Sequence, residues 1–503
     1  MVKNNETKKV RTVCPLMDAC GCGLLAHVVN GVITKVEPAD FPDPDDKGVC
    51  AKGLATPQLV YHPERLRYPL KRIGERGEGK WQRISWDEAL DSISEKLIDL
   101  ARQYGSTSIA WASPGLMNNL YDGGYTRLAS LTGGTRVSFV GFGDSAGPCA
   151  DMATFGWIFA EQVFSSLKNP KLTIVWGCNP AATNYHAWRR IIKEKKGGCK
   201  LIAIDPRSTE TVSYSDEHIQ IRPGTDGALA LAMMHVIMQQ GLQDEQFIVE
   251  NTVGPLLVRC DNGLFLRESD LISDGSEKRF IVFDKNTRQP ESCDDQTVNP
   301  MLIGSYTIAG IECKTAYQLL AEMVKEYTPE RVSKITDVPA DIIRRLATSY
   351  ATQKPACIYR GWGMQRTFYG DLSARAIYTL AALTGNMNLK GRQSWAQNVG
   401  SFAMPGGPCN QMPVMMLYDA ITKREPITVK AIWFAVSNFV NQLPNMNKIV
   451  NELFPLIELI VVCDLFMTAT ARYADYVLPA ASFYECMDLR TSRCQNNTYL
   501  QLQ

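Results

Sequence analysis

The chain has 503 residues, 45% of them apolar and 21% charged, with a net charge of +1. A norm of roughly 150 residues per domain predicts about three domains, and the balanced charge excludes an electrostatic grip on nucleic acid or an anionic membrane. Five histidines argue against a histidine-built metal centre, and an odd count of fifteen cysteines excludes a fully paired disulfide framework. Most cysteines stand singly in apolar runs, as Cys178, Cys357 and Cys463 do, which suits small buried side chains in a reducing compartment. The start MVKNNETKKVRTV has no apolar leader core and no twin arginine, and no run of about 18 apolar residues follows, so a cytoplasmic protein without a membrane span is expected.

Residues 1–55 read as a small β-unit stapled by cysteines. Two alternating runs, LLAHVV and VITKVE, flank Asn30-Gly31, a hairpin turn pair. From about residue 85 helix alternates with strand. ISWDEALDSISEKLIDLARQYG carries a capping Ser85 and helical apolar spacing. TSIAWAS, KLTIVWG and KLIAID read as buried strands, separated by a helix containing AWRRIIKEKKGG and followed by the helix DGALALAMMHVIMQQG. That rhythm implies parallel α/β sheets. Residues 255–312 are polar and hairpin-like, an insertion on the α/β core. The pattern resumes with helices TAYQLLAEMVKEY and DIIRRLATSYAT, and with strands ACIYRGWG, VKAIWFAVSN and LIELIVVCDLF. No tandem repeat is evident.

Cys14, Cys20 and Cys22 lie close together, and Cys50 follows after 27 intervening positions. Three close thiolates and one distant one suit a [4Fe–4S] cubane. Zinc is the rival, but a zinc ribbon shows two separated C-x-x-C knuckles and this chain shows none. The stretch TVCPLMDACGCGLLAHVVNGVITKVEP, followed by KGVCAKG, resembles the start of the molybdopterin oxidoreductases of the dimethyl sulfoxide reductase family. The resemblance implies that Cys14, Cys22 and Cys50 bind a 4Fe-4S cluster and that Lys52, in Cys50-Ala51-Lys52-Gly53, helps pass electrons between cluster and pterin. The family's second cysteine would stand at Met17 or Asp18, so Cys20 is taken as the substitute ligand, with Asp18 as an oxygen alternative. Acetylene hydratase, a tungsten member of the family, carries an essential aspartate at the spacing of Asp18, which makes Asp18 a catalytic candidate.

The strand KLTIVWG ends in Gly177-Cys178-Asn179-Pro180, at the kind of carboxyl-end loop where α/β folds hold ligands. Glycine lets backbone amides approach a phosphate. The next strand ends in Asp205-Pro206-Arg207, placed to hold a ribose diol, and Gly224-Thr225-Asp226 opens a further helix. A nicotinamide site would require G-x-G-x-x-G, which GCNPAA lacks. By resemblance these loops bind one guanine dinucleotide of the pterin. Gly361, Gly363 and Gln365, then Asn386 in LTGNMNLKG, then Ser437-Asn438, then Asp464, Thr468 and Asp475 in CDLFMTATARYADYVLPAASFYE resemble the second site.

The resemblance implies a bis-molybdopterin guanine dinucleotide holding Mo or W, with one ligand from the protein. The corresponding stretch, VSFVGFGDSAGPCADMATFG, offers Cys149 as a soft ligand, with Asp144 or Ser145 as alternatives. Asp18, Asp144, His186 and Arg360 are the substrate-facing candidates, His186 as a proton donor.

The expected architecture is therefore α/β and multidomain. A small β-rich iron–sulfur domain (1–60) joins two Rossmann-like α/β domains around a pterin cleft. The first comprises 61–140 plus 355–503; the second is 141–354, with its polar insertion. The family's C-terminal β-barrel-like domain is expected to lie outside this chain. The expected function is a catalytic subunit for two-electron or oxygen-atom transfer on a small molecule, with a ferredoxin-like electron-transfer partner. A non-redox hydratase or transhydroxylase, and a non-catalytic cluster-binding subunit, are the competing readings.

Overall fold

The computed structural model describes residues 7–16, 21–42, 44, 47–113, 120–139, 143, 145–156, 167–388, 410–491 and 500–502. Strands are numbered along the chain. β1 (Lys8–Cys14), β2 (Cys22–Val29), β3 (Val32–Pro38), β4 (Leu70–Arg72), β5 (Trp81–Arg83), β6 (Ile109–Ala112) and β7 (Thr135–Ser138) come first. β8 (Leu172–Trp176), β9 (Lys200–Ile204) and β10 (Glu217–Ile219) follow. β11 (Leu257–Arg259), β12 (Ile281–Phe283), β13 (Pro290–Ser292), β14 (Ser305–Ile308) and β15 (Ile311–Thr315) occupy the polar insertion. β16 (Ala356–Arg360), β17 (Asn410–Pro413), β18 (Ala431–Ala435), β19 (Leu459–Asp464) and β20 (Tyr476–Pro479) complete the set used below.

The chain forms two compact units, one of residues 1–143, 183–190 and 393–503 and the other of 144–182 and 191–392. In the first, β1, β2 and β3 make an antiparallel sheet whose hairpin turns at Asn30 and Gly31, with φ of 52° and 80°. Left-handed values at both central positions are what a two-residue turn between twisted strands requires. The same unit holds an eight-stranded sheet in the order β17-β7-β6-β18-β19-β20-β4-β5. The pairs from β17 through β20 are parallel and β4–β5 form an antiparallel edge hairpin. β6 is buried at every residue and β18 and β19 nearly so, as strands covered on both faces must be. The helix Trp86–Tyr104 starts where Ser85 accepts from the Glu88 amide and buries Ala89, Ile93 and Leu100.

In the second unit, β10-β9-β8-β16 form an all-parallel sheet. The helix Asp226–Gln239 is apolar all round and is buried accordingly, inside a core that also takes in Ile343, Leu346, Tyr350, Ile377 and Leu380. The insertion forms antiparallel strands around their own cluster of Leu257, Leu266, Ile281, Ile308 and Cys313. One reading changes. β16 was expected to open the return of the first α/β domain, but it pairs residue for residue with β8, Arg360 opposite Trp176. A short buried run carries no mark of which sheet it joins. The N-terminal sheet also gains a third strand, β1, exposed in its first half.

Candidate functional site

In the N-terminal sheet the last residue of β1, Cys14, stands opposite the first of β2, Cys22. Both are buried, in one cluster with Leu24, Val36, Val49 and Phe483. Cys50 precedes the helix Ala51–Leu54 and makes no capping bond with its side chain. A Cβ on Gly53 would meet Val49 Cγ2 at 2.3 Å and lie 3.6 Å from Cys14 Sγ, so this helix packs on Val49 and beside Cys14. Lys52 is exposed. Among the described residues no three His, Cys, Asp or Glu close around a single ion. A cubane asks for something different, since each thiolate takes its own iron. Two buried thiols, with a third half-buried one at the head of the neighbouring helix, fit such a cluster. Asp18, Cys20 and Asp144 lie outside the described residues.

His186, the candidate proton donor, is buried, and its Nε2 lies 3.1 Å from Cys22 Sγ. Cys149 sits in the helix Ala146–Phe155 and is exposed.

The loops after the parallel strands follow one plan in each unit. After β8, Asn179 Oδ1 accepts from the Thr211 hydroxyl at 2.7 Å and the Thr211 amide at 3.2 Å, while the Ala181 amide donates to Thr211 Oγ1 at 3.2 Å. After β18, Asn438 Oδ1 accepts from the Thr470 hydroxyl at 2.9 Å and its amide at 3.1 Å, and the Val440 amide donates to Thr470 Oγ1 at 3.0 Å. The Asn–Thr separation is 32 residues in both cases, and the amide–Thr separation is 30 in both. The plan extends further. Asp216 accepts from the Leu201 amide and Asp475 from the Ile460 amide, each at 2.8 Å and each across 15 residues. The residue two before each asparagine is left-handed: Gly177 at φ 64° and Val436 at φ 55°. A β-branched residue pays for that conformation in strain, which is stored where geometry matters. The two loop sets are thus matched in spacing although they lie far apart in the sequence.

The remaining predicted residues can be placed. Asp205, at the end of β9, accepts from the Arg207 amide at 2.8 Å, and Asp464, at the end of β19, accepts from the Leu465 amide at 2.7 Å. Burial raises the Asp464 carboxyl above its ordinary range. Asp226 opens its helix beside Gly224, accepts from Trp176 Nε1 at 2.8 Å, and is likewise pushed up by burial. Pro180 begins the helix Pro180–Thr183. Thr468 Oγ1 accepts from the Ala471 amide, and Ser437 is buried with its hydroxyl 3.4 Å from Gln442 Oε1. Asp475 is engaged by Arg72 and Arg76 as well as by the Ile460 amide.

Gly361 and Gly363 donate their amides to the carbonyls of Trp176 and Gly177, stitching the loop after β16 to the loop after β8. A Cβ on Gly361 would stand 2.0 Å from Cys178 Cβ and 2.5 Å from the Gly177 oxygen, so no other residue fits there. Gln365, buried against the backbone of Gly147, has no hydrogen-bond partner for either amide atom among the described residues. An unsatisfied buried amide at the carboxyl end of a parallel sheet fits a polar ligand group that completes it. Arg360 is also buried, 3.8 Å from Asp151 and over the ring of Tyr378. Asn386, at the amino end of β16, accepts from the Ala356 amide and donates to the Tyr350 carbonyl and Thr384 Oγ1.

A family model described as "Molybdopterin oxidoreductase" matches residues 65–498, and its "Fe4S4 domain" matches residues 7–62. Over 98% of its length the chain is 29% identical to the perchlorate reductase subunit alpha of Dechloromonas aromatica, covering 62% of that protein. Over 99% of its length it is 30% identical to the dimethyl sulfoxide reductase DmsA of Escherichia coli, covering 61% of it. The fold is similar to that of acetylene hydratase from Pelobacter acetylenicus, with a TM-score of 0.67, 23% identity, and coverage of 96% of this chain and 64% of the other. The chain therefore spans under two thirds of the length of these relatives.

Proposed function

The chain belongs to the molybdopterin oxidoreductases and carries their Fe4S4 domain, and from that premise we propose that it is the catalytic subunit, or most of one, of a molybdenum or tungsten enzyme. It would move two electrons, or an oxygen atom, to or from a small molecule. The observation that carries this reading is the duplicated Asn–Thr latch, one copy in each unit, at the carboxyl ends of parallel strands. Two guanine dinucleotides need two such loop sets.

In this reading Gly177, Pro180, Asp205, Arg207, Gly224 and Asp226 serve one dinucleotide, and Ser437, Asp464 and Thr468 the other; Gly361, Gly363 and Gln365 pass from the second set to the first, because their loop is bonded to the Gly177 loop. Asn179, Asn438 and Asp475 hold the loops in shape, because their oxygens are already occupied by the fold. Cys14, Cys22 and Cys50, with Cys20 as the fourth thiolate, hold the cluster, and Lys52 lies beside them on the route toward the pterin. Cys149, Asp144 or Ser145 would supply the protein ligand. When bound, the metal supplies two-electron chemistry and the cluster passes electrons singly. Relatives named for perchlorate, nitrate and dimethyl sulfoxide reduction point to a substrate that surrenders an oxygen atom. A ferredoxin-like subunit would supply the electrons. Among the described residues no helix is long and apolar enough to cross a membrane.

The test is anaerobic turnover of the metal-loaded protein with reduced viologen against a panel of oxyanions, sulfoxides and N-oxides. Viologen oxidation dependent on one of them supports the reading. Turnover of acetylene or a hydroxylated aromatic with no electron donor would replace it with the non-redox one.

A further inference from the structure

The first turn of the helix Tyr185–Lys196 lies against the cysteine sheet at two places. Asn184 caps it, its Oδ1 accepting from the Ala187 amide at 3.1 Å. From that turn His186 reaches Cys22 Sγ at 3.1 Å, across 164 residues of sequence, with both side chains buried. Tyr185 from the same turn packs on Gly48, and Arg189 donates to the Lys47 carbonyl. One helical turn is therefore fastened both to Cys22 and to the stretch that leads into Cys50.

We propose that His186 is a positioning residue for the iron–sulfur cluster, which raises the cluster's reduction potential by donating Nε2–H to the sulfur of Cys22. The proposal rests on the assignment of Cys22 as a cluster ligand. A thiolate bound to iron has no proton to give, so the histidine must be the donor in the loaded protein. Reduction adds one electron to the cluster and breaks no bond, and the proton stays on Nε2. A hydrogen bond to a ligand sulfur is stronger when that sulfur carries more negative charge, so it favours the reduced state. Burial enlarges the difference, because water does not screen it. A second consequence is mechanical: the bond fixes the rotamer of Cys22 and, through Tyr185 and Arg189, the approach of the Cys50 segment.

The experiment is a potentiometric titration of the anaerobically purified holoprotein, read by the electron paramagnetic resonance of the reduced cluster. Wild type is compared with His186→Met, which fills the volume without an N–H, and with His186→Gln, whose amide restores a donor. The expected result is a roughly tenfold fall in the reduced-to-oxidised ratio at fixed potential in His186→Met, about 59 mV for one electron, with most of it recovered in His186→Gln. Equal potentials in wild type and His186→Met would overturn the proposal. A second readout does not depend on the variants. Wild type labelled with 15N-histidine should show coupling of a histidine nitrogen to the reduced cluster, and its absence would also overturn the proposal. Wild type with no reducible cluster is a different failure, which refutes the ligand assignment itself.

Discussion

Thr470 is completely buried, and its hydroxyl does two things at once. It donates to Asn438 Oδ1 at 2.9 Å and accepts from the Val440 amide at 3.0 Å. Thr470→Val keeps the shape and removes both. The first loss costs about 1 kcal/mol; the second strands an amide on a residue that is 1% exposed, at about 1–3 kcal/mol. The expected destabilisation of the loop is about 2–4 kcal/mol. Thr470→Ser, which retains the hydroxyl, should cost only about 1 kcal/mol for the lost methyl. The duplicate position gives an internal control. Thr211→Val removes the equivalent pair, but Ala181 is half-buried and water can reach its amide, so about 1–2 kcal/mol is expected. Two units need not unfold together, so the assay is native-state hydrogen exchange, which reads local opening at the Val440 and Ala181 amides. Unchanged protection at Val440 in Thr470→Val, or equal loss in the valine and serine variants, would refute the argument that the hydroxyl latch holds the loop.

Three further predictions follow from the same geometry. Gln365→Leu removes a buried amide with no partner among the described residues, so the cofactor-free protein should gain about 1 kcal/mol in thermal melting while the molybdopterin content of purified protein falls. Gly361→Ala drives a methyl into Cys178 and the Gly177 carbonyl, and backbone cannot yield cheaply. Loss of about 2–4 kcal/mol is expected, visible as lower folded yield. Glu485 is held down from 4.5 to about 2 by the Arg65 guanidinium beside it. A depressed carboxylate contributes stability that is present above the unfolded value and lost as pH falls through the folded one. The advantage of wild type over Glu485→Gln should therefore be constant above about pH 4.5 and vanish toward pH 2, by denaturant titration across that range.

Local patterning made most of the secondary structure legible. Ser85 and the 3.6-residue spacing placed the helix Trp86–Tyr104, and Asn30-Gly31 placed the β2–β3 hairpin. Pairing partners were less legible, as β16 shows: ACIYR is buried on all sides and carries no alternation to say which neighbour it takes. Of the site, the single-residue signals were visible and the relations between them were not. Asn179 and Asn438 were each picked out, but their common plan lies in spacing to Thr211 and Thr470, and in backbone partners that no residue type announces. Laying residues 172–226 against 431–485 would have exposed the matched separations. Nothing in NYHAW says that the helix turns His186 toward Cys22. Nor does LTGNMNLKG announce that the Asn386 side chain bonds the Ala356 amide and the Tyr350 carbonyl.

The most direct test of the central claim is metal analysis of protein purified without oxygen from a host that makes the pterin cofactor. The account predicts molybdenum or tungsten near one atom per chain, about four irons, and guanine nucleotide released on denaturation. Iron without either heavy metal, or neither, would contradict it.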